Sequence, residues 1–311
     1  MSVLLIALTI LVFAALSGGR DWLSPIEVWR GLWSSDDFVI HTLRLPRTLI
    51  AVGAGMALGL AGALMQGLTR NALATPDVVG LVQTAGLGHI LALSFHLPPF
   101  VGEATGALIA LIAVSVFSRG QGAVAFVLYG IGIGATASAA TTVLLLRAPD
   151  AQVSAMMLWL SGSLARSDLV TVGWVFAGLA VAFLCLGWRA HMLGTLWLGD
   201  TVMAGLGVDL RHMRWLVLGL VAALTAAATL AVGPIGFLAF TAAPLARALT
   251  GAAPPGLMPA ALMGACLLTG ADLAARLLAP FVVLPTGLVM TLIGAPYLVY
   301  FLWRDRKRIT A

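Results

Sequence analysis

Few side chains in this chain could carry out covalent chemistry. Lys307 is the only lysine and lies near the C-terminus, whereas a phosphate-binding P-loop needs Gly-Lys-Ser/Thr at the start of a helix. The sequence contains neither a His-Glu-x-x-His zinc motif nor a Gly-x-Ser-x-Gly nucleophile motif, and its histidines are scattered. It therefore predicts no catalytic residues, no metal site and no P-loop ATPase within this chain, and an intramembrane enzyme finds no support.

Ionisable groups inside apolar runs could couple transport to protons or sodium. His89 is the one histidine well inside such a run, where either a core histidine with satisfied hydrogen bonds or a ligand would fit. Glu103 and Asp272 lie near the ends of their runs. This distribution disfavours an ion-coupled carrier acting alone, which stays the alternative function, and it predicts an energy source outside the chain.

The longest polar interruption runs from Trp188 to Arg214 and contains three arginines besides two aspartates and two histidines. Its middle, Leu196–Gly207, keeps apolar residues at roughly helical spacing and then ends at glycine. We interpret this stretch as a short amphipathic helix outside the bilayer that offers one face to a partner. A plain surface loop is the alternative.

The amino-acid composition indicates the class of protein to which this chain belongs. Hydrophobic residues make up 61% of the chain and charged residues 9%, against roughly 25% charged residues in soluble domains. Long apolar runs indicate a helical membrane protein. The net charge of +5 is explained by arginines on the cytoplasmic side, so no nucleic-acid partner is expected. Gly55-x-x-x-Gly59, Gly102-x-x-x-Gly106 and Gly130-x-x-x-Gly134 are predicted helix-packing faces.

About ten spans are predicted, given that about 20 helical residues cross the hydrocarbon core. The first could be a signal-peptide core, but no Lys or Arg precedes it, so we expect a retained helix. The runs are Val3–Leu16, Thr48–Leu68, Val79–Phe95, Phe100–Phe117, Ala123–Leu146, Leu169–Trp188, Trp215–Val232, Ile235–Leu249, Met258–Leu278 and Gly287–Trp303.

The arginines give the orientation. An even number of spans puts both termini on one side, and the tail Arg304-Asp-Arg-Lys-Arg308 predicts that this side is cytoplasmic. The Trp188–Arg214 stretch then lies inside. Arg44, Arg47 and Arg276 lie outside, where two interpretations are open. Arg276 could pair with Asp272 at i,i+4 while the other two reach headgroups, or the three could form a basic collar for an acidic partner.

Four ordered stretches together resemble the FecCD-type permease family, the membrane subunits of ABC importers for iron–siderophores, haem and cobalamin. The match spans nearly the whole chain in the family's order. The stretches are Arg44-Leu-Pro-Arg47 through Gly62-Ala-Leu-Met-Gln-Gly67 to Arg70–Asp77; Trp159-Leu-Ser-Gly-Ser163 with Leu198–Gly207; Gly233-Pro-Ile-Gly-Phe237 with Pro244 and Ala246-Arg247; and Ala271-Asp-Leu-Ala-Ala-Arg276 with Leu284-Pro-Thr-Gly287 and Gly294-Ala-Pro296.

The resemblance implies a single transmembrane permease domain over residues 1–311, all-α and of the type II ABC importer kind. It implies that the cytoplasmic loop at about 189–214 docks into an ATPase subunit, which uses ATP while this chain binds no cofactor. The matching loop positions are Leu198, Gly199, Asp200, Ala204, Gly205, Leu206 and Gly207.

The resemblance also implies that Arg44, Arg47 and Arg276 dock a periplasmic or lipid-anchored binding protein, and that Asn71, Leu73 and Gln121 are candidates for a cytoplasmic gate. Further partners would be membrane lipid and a second copy or a sister permease around a central path in the bacterial inner membrane. The implied cargo is an iron–siderophore or related chelate, with haem or cobalamin as the alternative.

The chain departs from the family pattern at three places. It has Asn71-Ala72 where Asn-Pro is usual, Pro244-Leu245 where Pro-His is usual, and Val82-Gln-Thr-Ala85 in place of a Gly-Ser/Asn-Gly-Ala stretch. A loop without the proline is less rigid, so these departures bear on the gate.

Overall fold

A computed structural model describes residues 1–19, 22–34, 37–119, 122–148, 150–165, 167–253 and 256–309. Within these ranges the chain is all-helical, with a π-helical turn at Val39–Arg44 and 3-10 turns at Pro76–Val79 and Leu196–Leu198. The α-helices are α1 (Ser2–Ser17), α2 (Pro25–Trp33), α3 (Leu45–Thr69), α4 (Leu81–Ser94), α5 (Pro99–Phe117), α6 (Gly122–Arg147), α7 (Asp150–Leu160), α8 (Leu169–Trp188), α9 (Ala190–Leu193), α10 (Asp200–Gly205), α11 (Leu210–Val232), α12 (Leu238–Thr250), α13 (Leu257–Leu278) and α14 (Thr286–Ile309).

Each predicted span corresponds to a helix. Among the described residues, seven helical segments are long and apolar enough to cross a membrane: one joins the π-helical turn to α3, and the others lie within α5, α6, α8, α11, α13 and α14. Three shorter apolar helices, α1, α4 and α12, take the places of the remaining predicted spans. The prediction of a polytopic all-α membrane protein is confirmed.

The centre of the bundle is α3, whose side chains from Ile50 to Gly67 are almost all buried. Small residues allow this. A Cβ added to Gly55 would lie 2.5 Å from the carbonyl oxygen of Gly264, and one added to Gly59 would lie 2.3 Å from that of Ala260, both on α13. At Gly62 the nearest oxygen, of Ala239 on α12, would be 2.0 Å away. The packing role predicted for the Gly55-x-x-x-Gly59 motif is therefore confirmed.

The non-helical segments that follow α7, follow α11 and precede α14 meet at one place in the bundle. The Ser163 N–H donates to the Val232 carbonyl at 2.8 Å, and the Gly287 N–H donates to the Gly162 carbonyl at 2.9 Å. These bonds satisfy backbone groups that lipid could not. Gly162, with φ +69°, has no room for a Cβ, because one would lie 2.3 Å from the Pro234 carbonyl oxygen. Residues from three of the quoted motif stretches thus form one hydrogen-bonded junction.

The first helix is part of the bundle. Leu4 and Ala15 are buried, and α1 packs along α13. Whether this helix is retained or is a signal-peptide core stays a prediction from the sequence. The amphipathic helix α2 follows, started by a capping box between Ser24 and Glu27. It leaves Ile26, Trp29 and Trp33 exposed at helical spacing, and the exposed Trp22 lies just before it, as expected for a helix at the membrane interface.

Candidate functional site

The predicted amphipathic helix in the long polar stretch is present, in two short pieces. The 3-10 turn Leu196–Leu198 leads to Gly199, whose φ of +90° lets the chain turn into α10. A second left-handed glycine, Gly207 with φ +77°, follows that helix. We call Leu196–Gly207 the coupling segment. The surface-loop alternative is wrong for this segment.

The inner face of the coupling segment packs on the bundle. Leu196 and Met203 are 3% and 4% exposed. The side chains of Leu196 and Trp197 lie against Gly67 near the end of α3. The guanidinium of Arg247 on α12 lies 5.6 Å from the centre of the Trp197 ring, in cation–π geometry. The segment is therefore held against α3 and α12.

Asp200 forms the polar anchor of the coupling segment. Its carboxylate accepts from Nη2 of Arg214 on α11 at 2.5 Å and lies 3.6 Å from Nη2 of Arg70, which follows α3. All three side chains are between 40% and 48% exposed, so each pair adds at most about 1 kcal/mol to stability. Arg70 and Arg214 are thus new candidates for function. Their charges at helix ends were visible in the sequence, but their convergence on Asp200 was not.

The outer face of the coupling segment carries exposed apolar side chains. Leu198, Val202 and Leu206 stand four residues apart and are 53%, 48% and 61% exposed. A Cβ added to the neighbouring Gly205 would meet nothing within 4 Å. Val202 lies in α10 and Leu206 directly follows it, so these two side chains share one helix face, whereas Leu198 lies before the turn at Gly199. We call these three exposed apolar side chains the apolar stripe.

The gate candidates lie beside this segment or outside the described residues. Asn71 follows the left-handed residue that ends α3, and its Oδ1 accepts from the Leu73 N–H at 2.9 Å. Leu73 is 42% exposed. Gln121 lies outside the described residues. The carboxyl of Asp77, in the 3-10 turn that follows, has its pKa raised by burial to about 6.

At the other end of α3, Arg44 and Arg276 hold the C-terminal end of α1. Arg44 Nη1 donates to the carbonyl oxygens of Leu16 and Ser17 at 2.8 and 2.7 Å. Arg276 Nη1 donates to the carbonyl oxygen of Ala15 at 2.9 Å and to that of Gly18 at 3.1 Å. The last carbonyls of a helix lack partners within it and carry partial negative charge. Both arginines therefore cap α1.

Asp272 holds the third arginine in the same cluster. Its carboxylate, 1% exposed, accepts from Nε and Nη2 of Arg47 at 3.1 and 2.9 Å and from the Thr286 hydroxyl at 3.1 Å. Nε of Arg276 lies 3.1 Å from its other oxygen. The predicted i,i+4 pair of Asp272 and Arg276 is confirmed. The proposal that Arg44 and Arg47 reach headgroups is wrong, because both are bound within the chain. We call Arg44, Arg47, Asp272 and Arg276 the outer arginine cluster.

The coupling segment and the outer arginine cluster lie at opposite ends of one helix. Arg47 stands in the first turn of α3 and Arg70 directly after its last residue. These 23 residues of helix rise roughly 35 Å, which is enough to span the hydrocarbon core. One end of the bundle therefore carries an exposed apolar stripe, and the other carries the outer arginine cluster, in which Arg47 and Arg276 share one carboxylate.

His89 is a core histidine with a partner. Its Nδ1 hydrogen-bonds to Oε1 of Glu103 on α5, and its ring stacks on Trp159 with 4.3 Å between centroids. His89 and Glu103 are both largely buried. Among the described residues, no three His, Cys, Asp or Glu side chains are grouped so that they could hold a metal ion.

Comparisons with known proteins agree with this arrangement. The family model of the FecCD transport family matches residues 6–304. The hemin transport system permease protein HmuU of Yersinia pestis is 38% identical, over 98% of this chain and 95% of its own length. The Fe(3+) dicitrate transport system permease protein FecD of Escherichia coli is 34% identical, over 97% and 99%.

Two solved structures are similar to this chain in their fold. A metal-chelate type ABC transporter in an inward-facing conformation superposes with a TM-score of 0.85 at 28% identity, covering 96% of this chain and 97% of the other. PsaBC from Streptococcus pneumoniae, at 14% identity and a TM-score of 0.63, covers 88% of this chain and 94% of its own and shares the fold.

Proposed function

Because this chain belongs to the FecCD transport family, we propose that it moves an iron–siderophore or related metal chelate across the bacterial inner membrane. Members of the family are transport permeases rather than enzymes, and relatives of this chain serve ABC importers. Haem is the second candidate cargo, favoured by the relative named for hemin transport. Cobalamin has no such support among the relatives described above.

The observation that carries the proposal is the apolar stripe of Leu198, Val202 and Leu206. Exposed apolar side chains grouped on a short helical segment are typical of a segment that docks into a groove of another protein. We propose that the groove belongs to a cytoplasmic ATPase subunit, which supplies the energy from ATP. The anchors at Asp200 and Trp197 would carry its movement into α3, α11 and α12.

At the outer end, we propose that the arginine cluster docks a periplasmic or lipid-anchored binding protein. The guanidinium groups of Arg47 and Arg276 share the single carboxylate of Asp272, so this pair of arginines keeps one excess positive charge. Such excess charge would steer an acidic surface toward this end. Two arginines of the cluster also cap α1, so docking and helix packing would share the same side chains.

The orientation and assembly complete the proposal. The coupling segment would face the cytoplasm, which places both termini there as well. The chain would act as a dimer, with itself or with a sister permease, around a central path. A carrier acting alone remains the rival. Uptake driven by a proton gradient without ATP would favour that rival and would contradict our proposal.

The decisive experiment uses proteoliposomes that contain the permease, its ATPase subunit and its binding protein. Val202→Asp and Leu206→Asp place charge on the stripe and should abolish both ATP-driven chelate uptake and ATPase co-purification. Thr201→Asp adds the same charge to an exposed neighbour outside the stripe and serves as the control. If the ATPase subunit co-purifies normally with the stripe variants, the docking role of the stripe is wrong.

A further inference from the structure

A cavity of about 650 Å³ opens between the inner ends of four spanning helices. It is separate from the coupling segment's exposed stripe and from the outer arginine cluster. Its walls come from the end of α3, the residues after α5, the start of α6 and the start of α11. The lining includes Met65, Leu68, Ser118, Arg119, Phe126, Arg211, Arg214 and Leu218.

The cationic side of the cavity lies at the ends of the spanning helices. Arg119 stands two residues after α5, and Arg211 and Arg214 lie in the first turns of α11. Arg214 is paired with Asp200. Among the described carboxylates, none lies within 4.0 Å of the Arg119 or Arg211 guanidinium. The rim of the cavity therefore carries at least two positive charges without a carboxylate partner there.

The other walls are apolar and lie deeper in the bundle. Leu218 is one turn beyond Arg214 along α11, and Met65 is one turn before the end of α3, a rise of about 6 Å in each case. Phe126 and Leu68 close the same side. Ser118, 8% exposed, adds a hydroxyl group to the lining. A ligand that fits must be anionic at the membrane surface and apolar below it.

We propose that this cavity binds an anionic phospholipid, with its phosphate between Arg119 and Arg211 and an acyl chain against Met65, Phe126 and Leu218. Guanidinium groups bind phosphate in bidentate geometry, and basic pockets between spanning helices on the cytoplasmic side suit anionic headgroups. Such a lipid would bridge α5 and α11, and α11 carries the Arg214 anchor of the coupling segment.

The test uses the purified permease–ATPase complex, depleted of lipid and titrated with phosphatidylglycerol while bound lipid is counted by native mass spectrometry. Arg119→Gln and Arg211→Gln should each weaken phosphatidylglycerol binding about fivefold, and the double variant about 25-fold. Phosphatidylcholine should bind far more weakly. Arg189→Gln, at the inner end of α8 and outside this cavity, is the matched control and should bind phosphatidylglycerol as the wild type does.

Further measurements distinguish the binding of a lipid from the binding of other anions. Inorganic phosphate that binds as tightly as phosphatidylglycerol would overturn the proposal in favour of a small-anion site. Citrate that displaces the lipid while the ATPase subunit remains attached would overturn it in favour of a path for anionic cargo. Equal phosphatidylglycerol binding by the double variant and the wild type would also overturn it. None of these results bears on the docking of the ATPase subunit to the stripe.

Discussion

Replacing the buried Asp272 by asparagine should destabilise the outer arginine cluster strongly. Asparagine keeps the size of the side chain and can still accept from the Thr286 hydroxyl, so the change removes mainly one negative charge. Two guanidinium groups would then lose their counter-charge. Their side chains are 25% exposed for Arg47 and 12% exposed for Arg276.

The expected magnitude follows from that burial. Removing one partner of a buried ion pair costs about 3–5 kcal/mol. Arg47 can recover part of its hydration because it is partly exposed, so we expect the low end, about 3 kcal/mol. The ratio of folded to unfolded protein would fall about 150-fold.

Equilibrium unfolding in mixed detergent–denaturant micelles measures this cost directly. Asp168→Asn is the matched control. Asp168 caps α8 through the Thr171 N–H at 2.8 Å, and asparagine caps a helix about as well as aspartate. The control should therefore change the free energy of unfolding by less than about 0.5 kcal/mol. A double variant, Asp272→Asn with Arg47→Gln, should be less destabilised than the sum of the two single changes.

Equal unfolding free energies for Asp272→Asn and Asp168→Asn would refute this reasoning. Water or lipid headgroups would then compensate the arginines as well as the carboxylate does. Strict additivity in the double variant would likewise show that Arg47 and Asp272 do not interact in the folded protein.

Four further predictions address other parts of the molecule. Asp200→Asn should uncouple ATP hydrolysis from uptake while lowering the free energy of unfolding by less than about 1 kcal/mol per lost pair; normal uptake would contradict this. Gly162→Ala should lower the melting temperature, because its Cβ meets the Pro234 carbonyl, whereas Gly173→Ala, where a Cβ meets nothing within 4 Å, should not. Because the pKa of Asp77 is raised in the folded protein, its carboxyl stabilises the fold fully below pH about 4, and this stabilisation is lost as the pH rises through about 6. The effect is worth no more than about 3 kcal/mol. Unfolding curves measured over a series of pH values should show that Asp77→Asn removes this pH dependence. Arg44→Gln should weaken binding-protein docking most at low salt and should also lower thermal stability; unchanged affinity would assign Arg44 to capping α1 alone.

The sequence was sufficient for the spans because hydropathy along the chain is a local property. Each of the ten apolar runs became a helix, including the short runs at α1 and α12. The coupling segment was equally visible, since apolar residues at helical spacing and the closing Gly207 mark it, although its interruption at Gly199 was not predicted. The i,i+4 pair of Asp272 and Arg276 is local in the same sense and could be predicted.

The partners of the charged residues could not be predicted, because they depend on which helices become neighbours. Arg47 and Asp272 are 225 residues apart in sequence, and Asp200 meets an arginine that follows α3. The junction of the non-helical segments posed the same difficulty. The quoted motifs marked Gly162 and Gly287 as characteristic, but only the bundle shows that their backbones are hydrogen-bonded to each other.

The capping of α1 has a consequence for how the chain is made. Arg276 is 261 residues after Ala15, whose carbonyl it holds, so a ribosome must complete almost the whole protein before that bond can form. During synthesis the first helix therefore waits in the bilayer or beside the insertion machinery without its final neighbour α13. Chains truncated before α13 should leave α1 accessible to quality-control proteases, and the arrival of Arg276 would mark the end of that vulnerable period.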